Sequence, residues 1–155
     1  MLSARLIQLI EENWEGITAA TIRQIRSDPK LLHIRNLPET ELREVGRNVL
    51  KNLGHWLTAN RAEQRVVEEH YEGLGRVRLA ESIPLHECVR GLQIVKQKVV
   101  EFMRDHEFAQ SSVSIYAEEE LEHRLNDFFD VLMYHEVLGY ETALRNAGSM
   151  AVEAR

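Results

Sequence analysis

The chain is poor in the residues that brace small extracellular folds. It has one cysteine, three prolines and eight glycines in 155 residues, and aromatic side chains make up 6% of it. A single cysteine, Cys88, forms no intramolecular disulfide and no cysteine-based zinc site. That excludes a disulfide scaffold and points to a reducing compartment. The low glycine and proline content excludes collagen-like and low-complexity classes. Few aromatics suit a helical protein better than a β-sandwich. No run approaches the roughly 18 apolar residues that a membrane span requires. The apolar start MLSARLIQLIEENW breaks at Glu11–Glu12, before a signal-peptide core forms. The expectation is a cytoplasmic protein without membrane insertion.

Positive charge is also in short supply. The net charge is −6, and it is uneven: residues 1–78 carry 12 Lys/Arg against 11 Asp/Glu, and residues 79–155 carry 7 against 14. An acidic half repels a phosphate backbone and the other half has no basic excess, so nucleic acid is not an expected partner.

What the chain does have is hydrophobic residues at 44%, arranged with helical spacing. Leu6, Ile10, Trp14, Ile17, Thr21 and Ile25 step by three and four, which predicts one helix from about Ser3 to Arg26, stopped by Ser27-Asp28-Pro29. Asn36-Leu37-Pro38-Glu39 opens a second helix carrying Leu42, Val45, Val49, Leu53 and Trp56. A third runs from about Arg61 to Glu81 with a stripe of Val66, His70, Leu74 and Val77, and Val67 and Tyr71 beside it. Gly73 and Gly75 inside it call for close packing against another backbone or for a kink. Pro84 starts a fourth helix with Leu85, Cys88, Leu92, Val95, Val99 and Phe102 on one face. Residues 106–114 read as a polar loop. The last helix, about Tyr116 to Asn146, has two adjacent stripes: Leu121, Leu125, Phe128, Leu132, His135, Gly139 and Ala143, and beside it Phe129, Met133, Tyr140 and Leu144. One bundle buries one broad stripe per helix, so two stripes predict a homodimer or a higher homo-oligomer. No segment alternates with period two. The predicted fold is all-α, an antiparallel bundle of about five helices. Residues 1–147 form the helical domain, and residues 148–155 form a C-terminal tail or connector in which Gly148-Ser149 ends or interrupts the helix.

Seven histidines raise the question of metal binding. Glu120-x-x-His123 is half of a di-iron bundle signature, but no second Glu-x-x-His pair exists. His135-Glu136 begins like a zincin motif, and the position for the second histidine is Gly139. Gly73-x-Gly75 lacks the third glycine and the preceding strand of a dinucleotide site. There is no Walker loop and no Gly-x-Ser-x-Gly elbow. Cys88 lies on an apolar stripe, where cysteine behaves as a small hydrophobe. No catalytic set, no metal site and no cofactor is expected. His70 and His135 stand out because both lie on apolar stripes, where a histidine needs a hydrogen-bond partner or a ligand. A haem- or metal-binding sensor using one or both is the alternative reading. Arg76, Arg78, Glu81, His86 and Arg90 gather around the turn at Ser82-Ile83-Pro84 as solvated charges, an anion site or a tether between helix ends. The candidate ligand or switch residues are His70, Tyr71, Arg76, Arg78, His86, Arg90, His135 and Tyr140.

Residues 76–96, RVRLAESIPLHECVRGLQIVK, resemble a recurrent pattern: an arginine, a glycine before Val/Ile-Pro-Leu, then a glutamate and an arginine leading into an apolar helix. Trp14 followed by Ser27-Asp28-Pro29, and Phe128-Phe129-Asp130 leading to Gly139-Tyr140, are similar too. The chain resembles the N-terminal domain of RsbRD-type RsbT co-antagonists, and related domains precede the kinase core of some bacterial histidine kinases. It departs from the pattern at Ser82, where glycine is usual, and at Leu92, where an aromatic is usual. The resemblance implies a sensory or regulatory helical domain of stress-response or two-component signalling, without catalysis, acting on an output domain in cis or on a partner signalling protein.

Overall fold

The computed structural model describes residues 2–106 and 112–153. The described residues form seven α-helices: α1 (Leu2–Glu12), α2 (Trp14–Ser27), α3 (Glu39–Leu50), α4 (Leu53–Leu57), α5 (Arg61–Ala80), α6 (Leu85–Asp105) and α7 (Ser112–Glu153). A short 3₁₀ turn, Ile34–Asn36, lies between α2 and α3. Among the described residues there is no strand, so the all-α fold expected from the periodicity is observed.

Two of the predicted helices are each divided in two. The first breaks at Asn13, whose side-chain amide donates to the Leu9 carbonyl at 2.8 Å and competes with the helical ladder. The second breaks at Lys51-Asn52, with Asn52 at φ −122°, ψ 32°. In both cases the apolar stripe runs on across the break, so period alone does not reveal it. The polar start of α5 is a capping box: the Glu63 amide donates to the Asn60 side chain at 2.9 Å, and the Asn60 amide donates back to the Glu63 carboxylate. The predicted loop over 106–114 shortens at its end, because α7 already begins at Ser112; residues 107–111 lie outside the described residues. At the other end α7 passes through Gly148-Ser149 without interruption and continues to Glu153.

Helix α7 is the central stave. It packs chiefly on α5, then on α6 and α1, while α2 lies between α3 and α6. Leu121, Leu125, Phe129 and Leu132 of α7 are fully buried against Leu6, Ile10, Leu50, Leu53, Val95 and Val99. A second apolar cluster surrounds Ile22, Ile25, Leu31, Ile34, Leu42, Cys88, Ile94 and Tyr140. Small residues set the helix crossings. A Cβ at Gly75 would overlap the Glu136 carbonyl and the Tyr140 amide, and one at Gly139 would overlap the Glu72 carbonyl. Backbone-to-backbone contact of α5 and α7 therefore accounts for Gly75. Gly46 lets α3 approach Thr18 of α2 in the same way.

The stripe predicted for α5 is rotated by one position. Val66 is 60% and Val77 47% exposed, and His70 is exposed too, whereas Val67, Tyr71, Gly75 and Arg78 are buried. The rotation follows from the α5–α7 contact, which turns the glycine face inward.

Candidate functional site

Between the two apolar clusters lies a cavity of about 30 Å³, lined by Thr21, Ile25, Leu74, Arg78, Cys88, Leu92 and Glu136 among others. Since a buried water needs about 10–15 Å³ by this measure, there is room for about two. Three of these side chains carry polar chemistry into the interior. Arg78 is 2% exposed and Glu136 is 3% exposed. Thr21 donates its hydroxyl to the Ile17 carbonyl at 3.0 Å.

Arg78 comes from the last turn of α5. Its Nη1 donates to Glu41 Oε1 in the first turn of α3 and to Glu81 Oε1 just past α5, each at 2.7 Å. Burial works against its charge, and the two carboxylates outweigh burial and hold it protonated. The carboxylates compete with each other. The hydrogen bond with Glu81, together with Arg78, holds Glu41 below the usual range, and burial together with Glu41 pushes Glu81 above it. Of the cluster read at the turn as solvated charges, an anion site or a tether, Arg78 and Glu81 meet here, and Glu41 of α3 joins them. Arg76 and His86 are exposed and Arg90 is half-buried. The structure does not bring these three to Arg78; His86 and Arg90 line an open hollow with Asp28 and Lys30.

Glu136 has no such partner. Its Oε2 is buried without a hydrogen bond, and burial pushes its carboxyl up to about 7 despite the opposing pull of Arg78. Burial, with the Glu136 charge as a second cause, also pushes up the Cys88 thiol, to about 12, and the Tyr71 phenol. Cys88 is thus an inert core thiol in this setting.

A second buried carboxylate, Glu87 at 1% exposure, is handled differently. It accepts the backbone amides of His33 at 2.9 Å and Ile34 at 3.2 Å, and pairs with His33 Nδ1 at 2.7 Å. Burial opposes its charge, but these donors prevail and hold it below the usual carboxylate value.

The two histidines of the sequence reading separate. His135 is largely buried, with Nε2 3.8 Å from Glu68 and Nδ1 3.5 Å from Glu72 on α5, and Nδ1 has no hydrogen-bond partner. Both carboxylates also pair with Arg65 at 3.2 Å. His70 stands outside the core, edge-on to Tyr71 with ring centroids 5.5 Å apart. This corrects its placement on a buried stripe. It lines an open cleft of about 160 Å³ with Trp56, Val66 and Phe128. A neighbouring cleft of about 300 Å³ shares Trp56, Val67 and Phe128 and adds Arg124 and Asp127. Among the described residues no three His, Cys, Asp or Glu side chains are grouped to hold a metal, and no helix is long and apolar enough to cross a membrane. Tyr140 is buried and donates its hydroxyl to the Ile83 carbonyl at 2.8 Å, which fastens α7 to the α5–α6 turn.

That turn has a second distinctive feature. Ser82 adopts φ 60°, in the left-handed region. The Ile83 amide donates to the Arg78 carbonyl at 3.0 Å and the Ser82 amide to the Leu79 carbonyl at 2.9 Å, the two bonds of a Schellman cap, whose left-handed position glycine fits best. The geometry thus explains the glycine in the pattern that residues 76–96 resemble. The sequence model for the RsbT co-antagonist protein rsbRD N-terminal domain matches residues 15–155. The chain belongs to this family. No curated protein and no solved structure matches it. As an rsbRD N-terminal domain, it is a stress-response co-antagonist sensory domain from a regulatory family.

In this rsbRD N-terminal domain the sequence reading missed Glu136, Glu41, and the Glu87–His33 pair. Glu136 carried a signal. It sits four residues after Leu132 and four before Tyr140, on the buried ridge of α7, where a carboxylate is costly. Glu41 and His33 carried none, because their roles depend on contacts with helices distant in sequence.

Proposed function

We propose that this rsbRD N-terminal domain is a non-catalytic, cytoplasmic regulatory module. It forms a homodimer and acts by displacement of α7 on an output domain in cis or on a partner signalling protein. The observation that carries the reading is the reach of α7. Its 42 residues span roughly 60 Å at 1.5 Å per residue, about twice the length of α5. One helix therefore holds the interior carboxyl of Glu136, the turn-fastening Tyr140 and the segment beyond Ala147. A shift of an ångström or two at the cavity is carried along such a rod to whatever follows it. Val131 at 42% and Tyr134 at 65% exposure, one turn apart, leave apolar surface on the same helix, which supports self-association through it.

The test is to fuse a natural or surrogate output domain after Arg155 and measure its activity with Tyr140→Ala, with His135→Leu, and with a four-residue insertion after Ala147. Altered output in folded protein supports transmission through α7, and unchanged output in all three rejects it. Light scattering over micromolar to millimolar concentrations tests the dimer, and a monomer mass throughout rules it out.

A further inference from the structure

Two facts about the cavity do not follow from stability alone. Glu136 is a carboxyl with a buried, unpartnered oxygen. It shares the cavity with Arg78, which is ion-paired to two other carboxylates, Glu41 and Glu81. A guanidinium has five donors, and Nη1 supplies both of those bonds, so Arg78 has N–H groups to spare. The groups facing Glu136 are few and known. From α5 come Arg78 and Tyr71, from α6 Cys88, and from α2 the uncharged Thr21. His135 and Tyr140 flank it on α7, and the His135 ring is turned toward Glu68 and Glu72. Arg78 is the one cation lining the cavity among the described residues.

We infer that Arg78 and Glu136 form a proton-operated latch: when Glu136 gives its proton to bulk water, the buried carboxylate draws the Arg78 guanidinium across the cavity and away from Glu41 and Glu81. Three features make this consequential. A buried carboxylate without a partner is far costlier than one facing a guanidinium, so the ionised state drives the rearrangement. Glu41 and Glu81 have side chains 30% and 26% exposed, so water can solvate them when Arg78 leaves. The α5–α7 crossing at Gly75 and Gly139 has no slack, so the helices cannot absorb the change by closing up. The movement is directed instead into the first turn of α3 and into the Ser82–Ile83 turn, which α7 grips through Tyr140. The upward shift of the Glu136 carboxyl to about 7 places the event within the physiological range. The inference deepens the regulatory reading: it rests on that reading for its output, and on the cavity alone for the latch.

The full chain, labelled with ¹³C at glutamate side-chain carboxyls and ¹⁵N at amides, is followed by NMR from about pH 5 to about pH 9. The expected result is one carboxyl resonance with a midpoint near neutrality, absent in Glu136→Gln, with the amides of Glu41, Arg78, Ser82 and Ile83 shifting at the same midpoint. The ionised fraction of such a group changes about tenfold between pH 6 and pH 8. Arg78→Lys keeps the charge and loses the fork, so the midpoint persists while the coupled amide shifts shrink. Absence of a Glu136 titration in this range overturns the inference, and so does a titration that leaves the Glu41 and Ser82–Ile83 amides in place. With the output domain attached, a latch that titrates beneath a pH-independent output upholds the latch and rejects the regulatory reading instead.

Discussion

Two buried glutamates on neighbouring helices have opposite fates. Glu87, in the first turn of α6, receives two backbone amides and a histidine ring from the segment at His33–Ile34 and is held ionised. Glu136, mid-way along α7, has an orphaned oxygen at a small cavity and is held neutral up to about pH 7. Both are at most 3% exposed, yet Glu136 lies deeper beneath the surface than Glu87, and burial weighs more heavily on it. The supply of donors separates them further. An irregular segment has free amides to aim at a carboxylate, and the 3₁₀ turn at Ile34–Asn36 supplies them. At the crossing of two regular helices every nearby amide is already in a ladder, so Glu136 has side chains alone to turn to.

The same contrast gives the two sites opposite effects on stability. For Glu136 the folded value is raised from 4.5 to about 7. Its stabilising contribution is full below about 4.5, declines as pH rises, and is gone above about 7. For Glu87 the folded value lies below 4.5. Its contribution is present above 4.5 and is lost as the pH falls through that lowered value.

The largest break in the comparison is expected from Arg78→Met. It removes the one cation that faces Glu136 and leaves Glu41 and Glu81 to repel each other. The expected loss is about 3 kcal/mol in denaturant unfolding, at the lower end for a broken buried pair because both carboxylates are partly in water. The Glu136 midpoint should also rise further in NMR titration. Glu87→Ala should cost about 2–3 kcal/mol at pH 7, the value of charge-assisted hydrogen bonds whose donors are left buried. The difference from the parent should disappear in melts at strongly acidic pH.

Glu136→Gln has the opposite sign. It should stabilise the protein by about 1–3 kcal/mol at pH 8, where the parent carries the cost of a buried charge, and leave stability unchanged within about 0.5 kcal/mol at pH 4. Thermal melts at the two pH values test this directly. The smallest effect is expected from Ser82→Gly, which relieves the left-handed strain in the turn between the two sites. Net of the extra freedom glycine has in the unfolded chain, the gain should be about 0.5–1 kcal/mol, read as a higher melting temperature with no change in either titration.

The stripe of α6 and the principal stripe of α7 were legible as core because residues three and four apart share a helix face whatever surrounds them. Cys88, Leu92, Val95 and Val99 are all buried, as are Leu121, Leu125 and Leu132. The turn at Ser27-Asp28-Pro29 and the helix starts at Pro38 and Pro84 were legible for a similar reason, since proline constrains its own backbone and that of its neighbour. Tyr140 was legible as a residue of interest, though its bond to the Ile83 carbonyl was not.

Period gives the angular spacing of a stripe and leaves its absolute rotation open. His70 was assigned inward with Val66 and Val77, and the approach of α5 to α7 through Gly75 and Gly139 turned all three outward. Helical character, the spacing of the apolar stripes and the proline-marked stops are local properties of neighbouring residues, and the sequence determined them by itself. The gathering of Arg78, Glu41 and Glu81 on one guanidinium, and the choice of which buried glutamate keeps its charge, were decided by the tertiary structure. Those outcomes depend on where donors and low-dielectric surroundings arrive from helices distant in the chain.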